Sequence, residues 1–370
     1  MSRVLNPYKD IDWEKVQTLC SCTHMHCVNN EQFQRFIDQG LEFVTLANYH
    51  PSVPWYPLKD MRKRSLRIGQ KGVFKDGKYI DEYVDFTPYS KEDKDAGNLA
   101  FPNVNDNLLE APNAEHHWFS NYNVYLHISA PGSALATGYP DVPWNGEPPL
   151  CNLSQFGFQK GCPVTWQEGF KLLLDKLIIP DGGGIIINHP VWSHLPFQDI
   201  LDMLDFDDRV LGIEIYNDGC AYDYTETADH LWDMILSTGR QCFGFCVQDH
   251  PKEVWRGKIH LLANERTANS ALQAMRNGQF YGSITGEHAF TKISFDGKKL
   301  TITLDSPCDE FQLISKKGII FFDGKIKEYS CEFTPEELAE HVYFRCTARF
   351  GRRQEKLYSQ PIMLTEYIKK

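Results

Sequence analysis

The chain has 370 residues and carries 49 acidic against 38 basic side chains, a formal net charge of −11. That balance excludes a general binder of extended nucleic acid or of anionic membranes, which needs a basic footprint, but leaves room for a small anionic substrate where a metal supplies local positive charge. With 42% hydrophobic and 24% charged residues, the composition is that of a globular protein able to bury a sizeable core in one large domain and one small one.

Residues 1–17 read as a lead-in with one short helical piece and no apolar signal core. Apolar runs such as 184–188 are far too short to span a bilayer. The 11 cysteines are scattered and odd in number, which suits reduced thiols. The expectation is a soluble, cytoplasmic protein with no membrane partner.

From 18 to 286, short apolar strands alternate with helical stretches, the pattern of a parallel α/β sheet or barrel. The first strand runs into Thr23-His24-Met25-His26. Two histidines one residue apart on a strand project to the same face, so His24 and His26 could share one cation or hold two neighbours. Cys20, Cys22 and Cys27 flank them without Cys-x-x-Cys spacing and read as buried structural thiols.

A helix over 30–39 leads to a strand over 43–47 that ends in Asn48-Tyr49-His50. Asn48 and His50 would face the same way if the strand persists, although His50 before Pro51 also reads as a loop residue. Two stretches, 60–113 and 131–164, are polar and rich in Gly and Pro, as loops or lids over a site are. The first contains Arg62, Arg64 and Arg67, which suit bidentate phosphate recognition or form a solvated basic run.

Glu115-His116-His117 and His127 come between these insertions. A carboxylate among imidazoles can bridge and neutralise hard cations, which favours Glu115 and His127 as ligands. His116 and His117 read equally as rim residues. A helix over 166–177 precedes the strand 184–188, which ends in Asn188-His189-Pro190. A polar group at the carboxyl end of a buried parallel strand is where α/β barrels place their chemistry. His194 and Trp192 lie further along that loop as candidate substrate contacts.

The strand 212–216 follows a helix over 196–204. Its Glu214 sits between isoleucines and is costly to bury unless paired, so it reads either as solvated or as a support for metal ligands with Tyr216. The strand 241–247 follows a helix over 228–237 and runs into Asp249-His250. Thr267 or Asn269 caps the helix that follows. After 286 the pattern becomes short alternating strands at 290–295, 299–304, 310–315, 318–322, 328–333 and 342–350, with one helical patch at 335–340. That predicts a small antiparallel β-sandwich over 287–370. No phosphate-loop or Gly-x-Ser-x-Gly motif occurs.

Over roughly 18–286, this ordered series resembles the PHP (polymerase and histidinol phosphatase) superfamily in its stand-alone form. The resemblance rests on His24-Met25-His26, Glu115 with His127, Asn188-His189-Pro190, Gly212-Ile213-Glu214-Ile215-Tyr216-Asn217, Asp249-His250 and the stretch 277–283. Arg345 and Ser359-Gln360-Pro361-Ile362 resemble the end of an appended β-domain.

The resemblance implies a distorted (β/α)7 barrel and one to three divalent cations: zinc, manganese or iron. The implied ligands are His24, His26, His50, Glu115, His127, His189, Asp249 and His250. It also implies a phosphoesterase acting on a small phosphorylated molecule, with His250, His194 and Glu214 in catalytic roles. Asn48, Tyr49, Trp192, Asn217 and Arg64 would contact substrate. Cleavage of a non-phosphate bond, or a non-catalytic binding role, remains open. Two positions depart from the family pattern. Asn48-Tyr49 stand where Asp-His is usual, and Gln248 stands where an Asp is usual. Either Asp249 replaces the latter through a shifted backbone, or a metal position is weakened.

Overall fold

The computed structural model describes residues 4–27, 30–47, 104–105, 107–117, 125–134, 165–250, 252–351 and 355–368, with 56, 58, 119 and 121–122 between them and the backbone of strands Ile68–Lys75, Lys78–Asp85, Asn152–Leu153 and Lys160–Gly161. Asn48, Tyr49, His50 and Arg64 lie outside the described residues, as does most of both insertions.

The chain is mixed α/β. One long sheet runs Ile319–Gly324, Glu310–Ser315, Tyr343–Phe350, Glu355–Ser359, Phe280–Ile284, Gly257–Ala263, Gln17–Cys22, Phe43–Val44 and Leu109–Glu110. A second runs Phe243–Val247, Val210–Asn217, Ile185–Ile187, Ile128–Ser129 and Glu115–His116. A third joins Phe290–Phe295, Lys299–Leu304 and Glu328–Glu332. The strands Ile185–Ile187, Val210–Asn217 and Phe243–Val247 are parallel, as the βα alternation predicts.

Among the described residues these sheets are not closed, so the expected single closed (β/α)7 barrel is not shown. At the two junctions between the first two sheets, among the described residues, isolated backbone bonds stand in place of a strand ladder: Glu115 N donates to Ala47 O at 3.1 Å at one, and Asp249 N donates to His24 O at 2.8 Å at the other. At the first, Pro112 has no N–H to give, and the Asn113 side chain adds further links beside the backbone bond. Its amide donates to Thr23 O at 2.8 Å and Thr45 O at 3.1 Å, and its oxygen accepts from Ala130 N at 2.9 Å. At the other, Gly257 lies so close to Val247 that an added Cβ would meet the Val247 carbonyl oxygen at 2.0 Å. There the two sheets are linked through Asp249, bridged to Met25 as an isolated parallel pair.

Helices cover the outer face of the second sheet. Trp166–Asp175 starts at a capping box between Thr165 and Glu168, an arrangement worth about 1 kcal/mol, and buries Phe170, Leu173 and Leu174. Phe197–Phe206 and Asp229–Ser237 bury Leu204, Trp232 and Leu236 against the same sheet. Each such side chain contributes on the order of 1.5–3 kcal/mol. Thr267 caps Ala268–Arg276, accepting from Ser270 N at 3.2 Å.

The C-terminal strands pair antiparallel around a separate apolar cluster that includes Phe311, Phe344 and Leu357. Of these, Ile319–Gly324, Glu310–Ser315 and Tyr343–Phe350 belong to the first sheet, joined to its N-terminal part through Glu355–Ser359 on Phe280–Ile284. No helix of the described residues is long and apolar enough to cross a membrane.

Candidate metal centre

The His-x-His segment forms the floor of a buried polar cluster. Asp249 N donates to His24 O at 2.8 Å, His26 N donates to Asp249 O at 2.9 Å, and Ala47 N donates to Met25 O at 3.0 Å. Met25 is buried in the apolar core, and the two imidazoles meet on the other side with ring centroids 5.2 Å apart. The period-two alternation of an extended chain thus places both rings on one face.

Glu115 is the centre of the cluster. Its Oε2 lies 3.0 Å from His26 Nε2 and 3.3 Å from His24 Nε2. Its Oε1 lies 2.8 Å from His127 Nδ1 and 3.3 Å from His189 Nε2. Asp249 Oδ1 completes the first group, 3.4 Å from both His24 Nε2 and His26 Nε2. His116 and His117 are buried, not at the rim, and burial pushes both imidazoles down to about 3, so they stay neutral.

Glu214 is buried behind these ligands and is not solvated. Its Oε1 lies 2.8 Å from His24 Nδ1, and its Oε2 accepts from His189 N at 2.7 Å and from the Asn217 amide at 2.8 Å. One carboxylate therefore orients a ring from the first strand and the turn after Ile185–Ile187. Ser193, which no sequence motif marks, does the same for His189, its Oγ 3.0 Å from Nδ1. Asn217 is also buried, and its amide reaches Asp249 Oδ2 at 3.1 Å, so it braces two carboxylates instead of facing a substrate.

His250 stands at the mouth, its side chain 57% exposed, stacked on His26 with ring centroids 5.0 Å apart and with Nε2 3.7 Å from Asp249 Oδ1. Trp192 lies edge-on to His189 at 4.9 Å and tilted to His127 at 5.9 Å. His194 is exposed and, among the described residues, makes no hydrogen bond or ion pair with the cluster. Burial pushes the Cys20 and Cys22 thiols up to about 12, and neither belongs to the groups of converging ligand atoms.

Burial alone would strip the proton from His24 and His26 and hold it on Glu115 and Asp249. Mutual attraction outweighs burial. The imidazoles of His24 and His26 are raised by Asp249 and Glu115, and both carboxyls are held below their ordinary range by the imidazoles. Among the described residues, no Lys or Arg forms an ion pair with Glu115, Asp249 or Glu214. Among the described residues, their charge is met by imidazoles and by neutral N–H donors from Asn217 and the His189 backbone.

Two groups have ligand atoms that all fall within 4.8 Å of one another: His24, Glu115 and His189, and His24, His26 and Asp249. All donors are imidazole nitrogen or carboxylate oxygen. That set suits zinc, manganese or iron, and the residues present fit such a cation.

No family model matches the chain, and no curated protein matches it. Among solved structures, the chain is similar to a two-domain protein containing a predicted PHP-like metal-dependent phosphoesterase from Bacteroides vulgatus ATCC 8482. The identity is 14%, the TM-score is 0.37, and 94% of each chain is covered.

Proposed function

We propose that this protein is a metal-dependent hydrolase that cleaves a phosphate ester in a small molecule. The observation that carries this reading is Glu115, whose two oxygens divide between His24 and His26 on one side and His127 and His189 on the other. A carboxylate shared in this way is suited to hold adjacent cations, with Asp249 closing the first group.

Bound there, a divalent cation lowers the pKa of water towards neutrality and polarises a phosphoryl oxygen. The chain's own groups fix how that chemistry is presented. Glu214 at His24 Nδ1 and Ser193 at His189 Nδ1 engage one nitrogen of each ring, so that Nε2 faces the cluster. Trp192 lies against the His127 and His189 rings and forms one wall of the cluster. His250, exposed at the mouth, is placed to exchange a proton with a leaving oxygen at its Nε2.

The test is a panel of small phosphate monoesters, phosphodiesters, carboxylic esters and amides, assayed with protein loaded with Mn²⁺, Zn²⁺ or Fe²⁺. Release of phosphate from monoesters is the expected result. Turnover confined to the other bonds, or none at full metal loading, would overturn the reading.

A further inference from the structure

The strand Phe243–Val247 ends one residue before Gln248, and two side chains there compete to face the cluster. Gln248 is buried but turned away. Its amide donates to Asp218 Oδ2 at 3.0 Å and to His250 O at 3.2 Å, while its oxygen accepts from Arg256 N at 2.8 Å. Asp218 is itself buried and anchored: the Tyr216 hydroxyl donates to Oδ1 at 2.9 Å and Lys252 Nζ lies 2.8 Å from Oδ2. A carboxylate at 248 would lose both amide donations and bring a second buried negative charge to within about hydrogen-bond distance of Asp218.

Asp249 reaches the cluster instead because its φ is +61°, in the left-handed region that Asp tolerates better than most residues. That turn also needs space. A Cβ added at Gly219 would lie 2.8 Å from Asp249 Cβ and 2.9 Å from its Cγ and Oδ2. Asp218 and Gly219 are neighbours in the chain. One captures the side chain of residue 248, and the other makes room for the carboxylate of residue 249.

We propose that Gln248, Asp218 and Gly219 form a positioning device that passes the ligand role at this strand end from position 248 to Asp249. The inference rests on the metal-centre reading above and adds the residues that decide which side chain completes it.

The test is calorimetric titration of metal-free full-length protein with Zn²⁺ alone, with bound zinc counted by elemental analysis. Gly219→Ala is expected to bind Zn²⁺ about 10- to 100-fold more weakly or to lose an equivalent. Gln248→Glu alone should show the same loss. Asp218→Asn combined with Gln248→Glu exchanges amide and carboxylate across the contact and should recover most of the affinity.

Wild-type affinity and stoichiometry in Gln248→Glu would overturn the proposal, as would a double variant no better than the single. If Gly219→Ala does not fold, the Gln248 pair decides. A wild type that holds zinc but cleaves no phosphate ester refutes the functional reading and leaves the device standing. One that holds no zinc refutes both.

Discussion

Two buried ionic clusters can be compared in this protein. The first is the Glu115 centre. The second joins helix Asp229–Ser237 to strand Tyr343–Phe350, where Asp233 accepts from Arg345 Nε at 2.7 Å, Arg345 Nη2 at 2.6 Å and the Tyr343 hydroxyl at 2.7 Å. Both are shielded from water, and both carry carboxylates. In the second, a guanidinium supplies a permanent positive charge in a two-pronged geometry that answers the carboxylate fully. In the first, Glu115, Asp249 and Glu214 face imidazoles whose charge depends on protons. Burial of charge does not by itself mark a metal site. The distinguishing feature is that, among the described residues, no Lys or Arg pairs with these carboxylates while imidazole and carboxylate donor atoms converge.

The largest expected effect breaks the comparison at its first member. Glu115→Gln removes the oxygen charge shared by both ligand groups, and turnover of a phosphate ester should fall by about three orders of magnitude with the loss of bound metal. Assay at saturating Mn²⁺ together with a metal count checks this; full activity at full loading would show that Glu115 is not the shared ligand.

The second expected effect falls on the other cluster. Arg345→Met strands the Asp233 carboxylate in the core and should cost about 3–5 kcal/mol in urea unfolding. Its metal stoichiometry should stay at the wild-type value. Loss of metal in this variant would mean that the two clusters are coupled, and the contrast between them would fail.

The third is smaller. Glu214→Gln keeps the shape but weakens the hold on His24 Nδ1 and His189 N, so Zn²⁺ affinity should drop about 10- to 100-fold with the fold retained. An unchanged dissociation constant would reduce Glu214 to a filler of space.

How much of this was legible in the sequence differs between the same two regions. His24 and His26 could be paired from alternation alone, and Glu115 and His127 came from residue type and family resemblance. The parallel strands and their helices were visible because apolar periodicity is a local signal. Asp249 was not decidable, because the choice between 248 and 249 turns on a left-handed φ and on Gly219, which is remote in sequence. A closed (β/α)7 barrel was expected and is not shown: among the described residues the sheets are not closed, and near residues 111–114 they meet through the Asn113 amide and a backbone bond from Glu115 N to Ala47 O. The Asp233–Arg345 clasp was invisible for a similar reason: nothing near Arg345 in the sequence names its partner. The strands Gly257–Ala263 and Phe280–Ile284 were not foreseen either; they pair with each other, and Gly257–Ala263 takes its second partner, Gln17–Cys22, from the opposite end of the chain.

The finest test uses pH. In the metal-free protein, His24 and His26 titrate above their ordinary value of 6.5. A raised folded-state pKa contributes stability that is fully present below the unfolded value and is lost as pH climbs through the folded one. Glu115 and Asp249 are lowered from 4.5 and 3.8, so their contribution is present above those values and is lost only as pH falls through their depressed folded values. His116 and His117, which stay neutral down to about 3, disfavour the folded state as pH falls below their ordinary value, so metal-free protein should melt highest at about pH 6.5 and weaken towards alkaline pH. Zinc needs the His24 and His26 rings deprotonated, so the loaded protein should gain most from metal on the alkaline side. Melting curves from pH 4 to 9, with and without Zn²⁺, read both trends. In Glu115→Gln the alkaline decline should flatten, because one of the carboxylates that holds the imidazole protons is gone. In Arg345→Met it should persist, since Glu115, Asp249, His24 and His26 are untouched. Equal slopes in the two variants would mean that the decline arises elsewhere in the molecule.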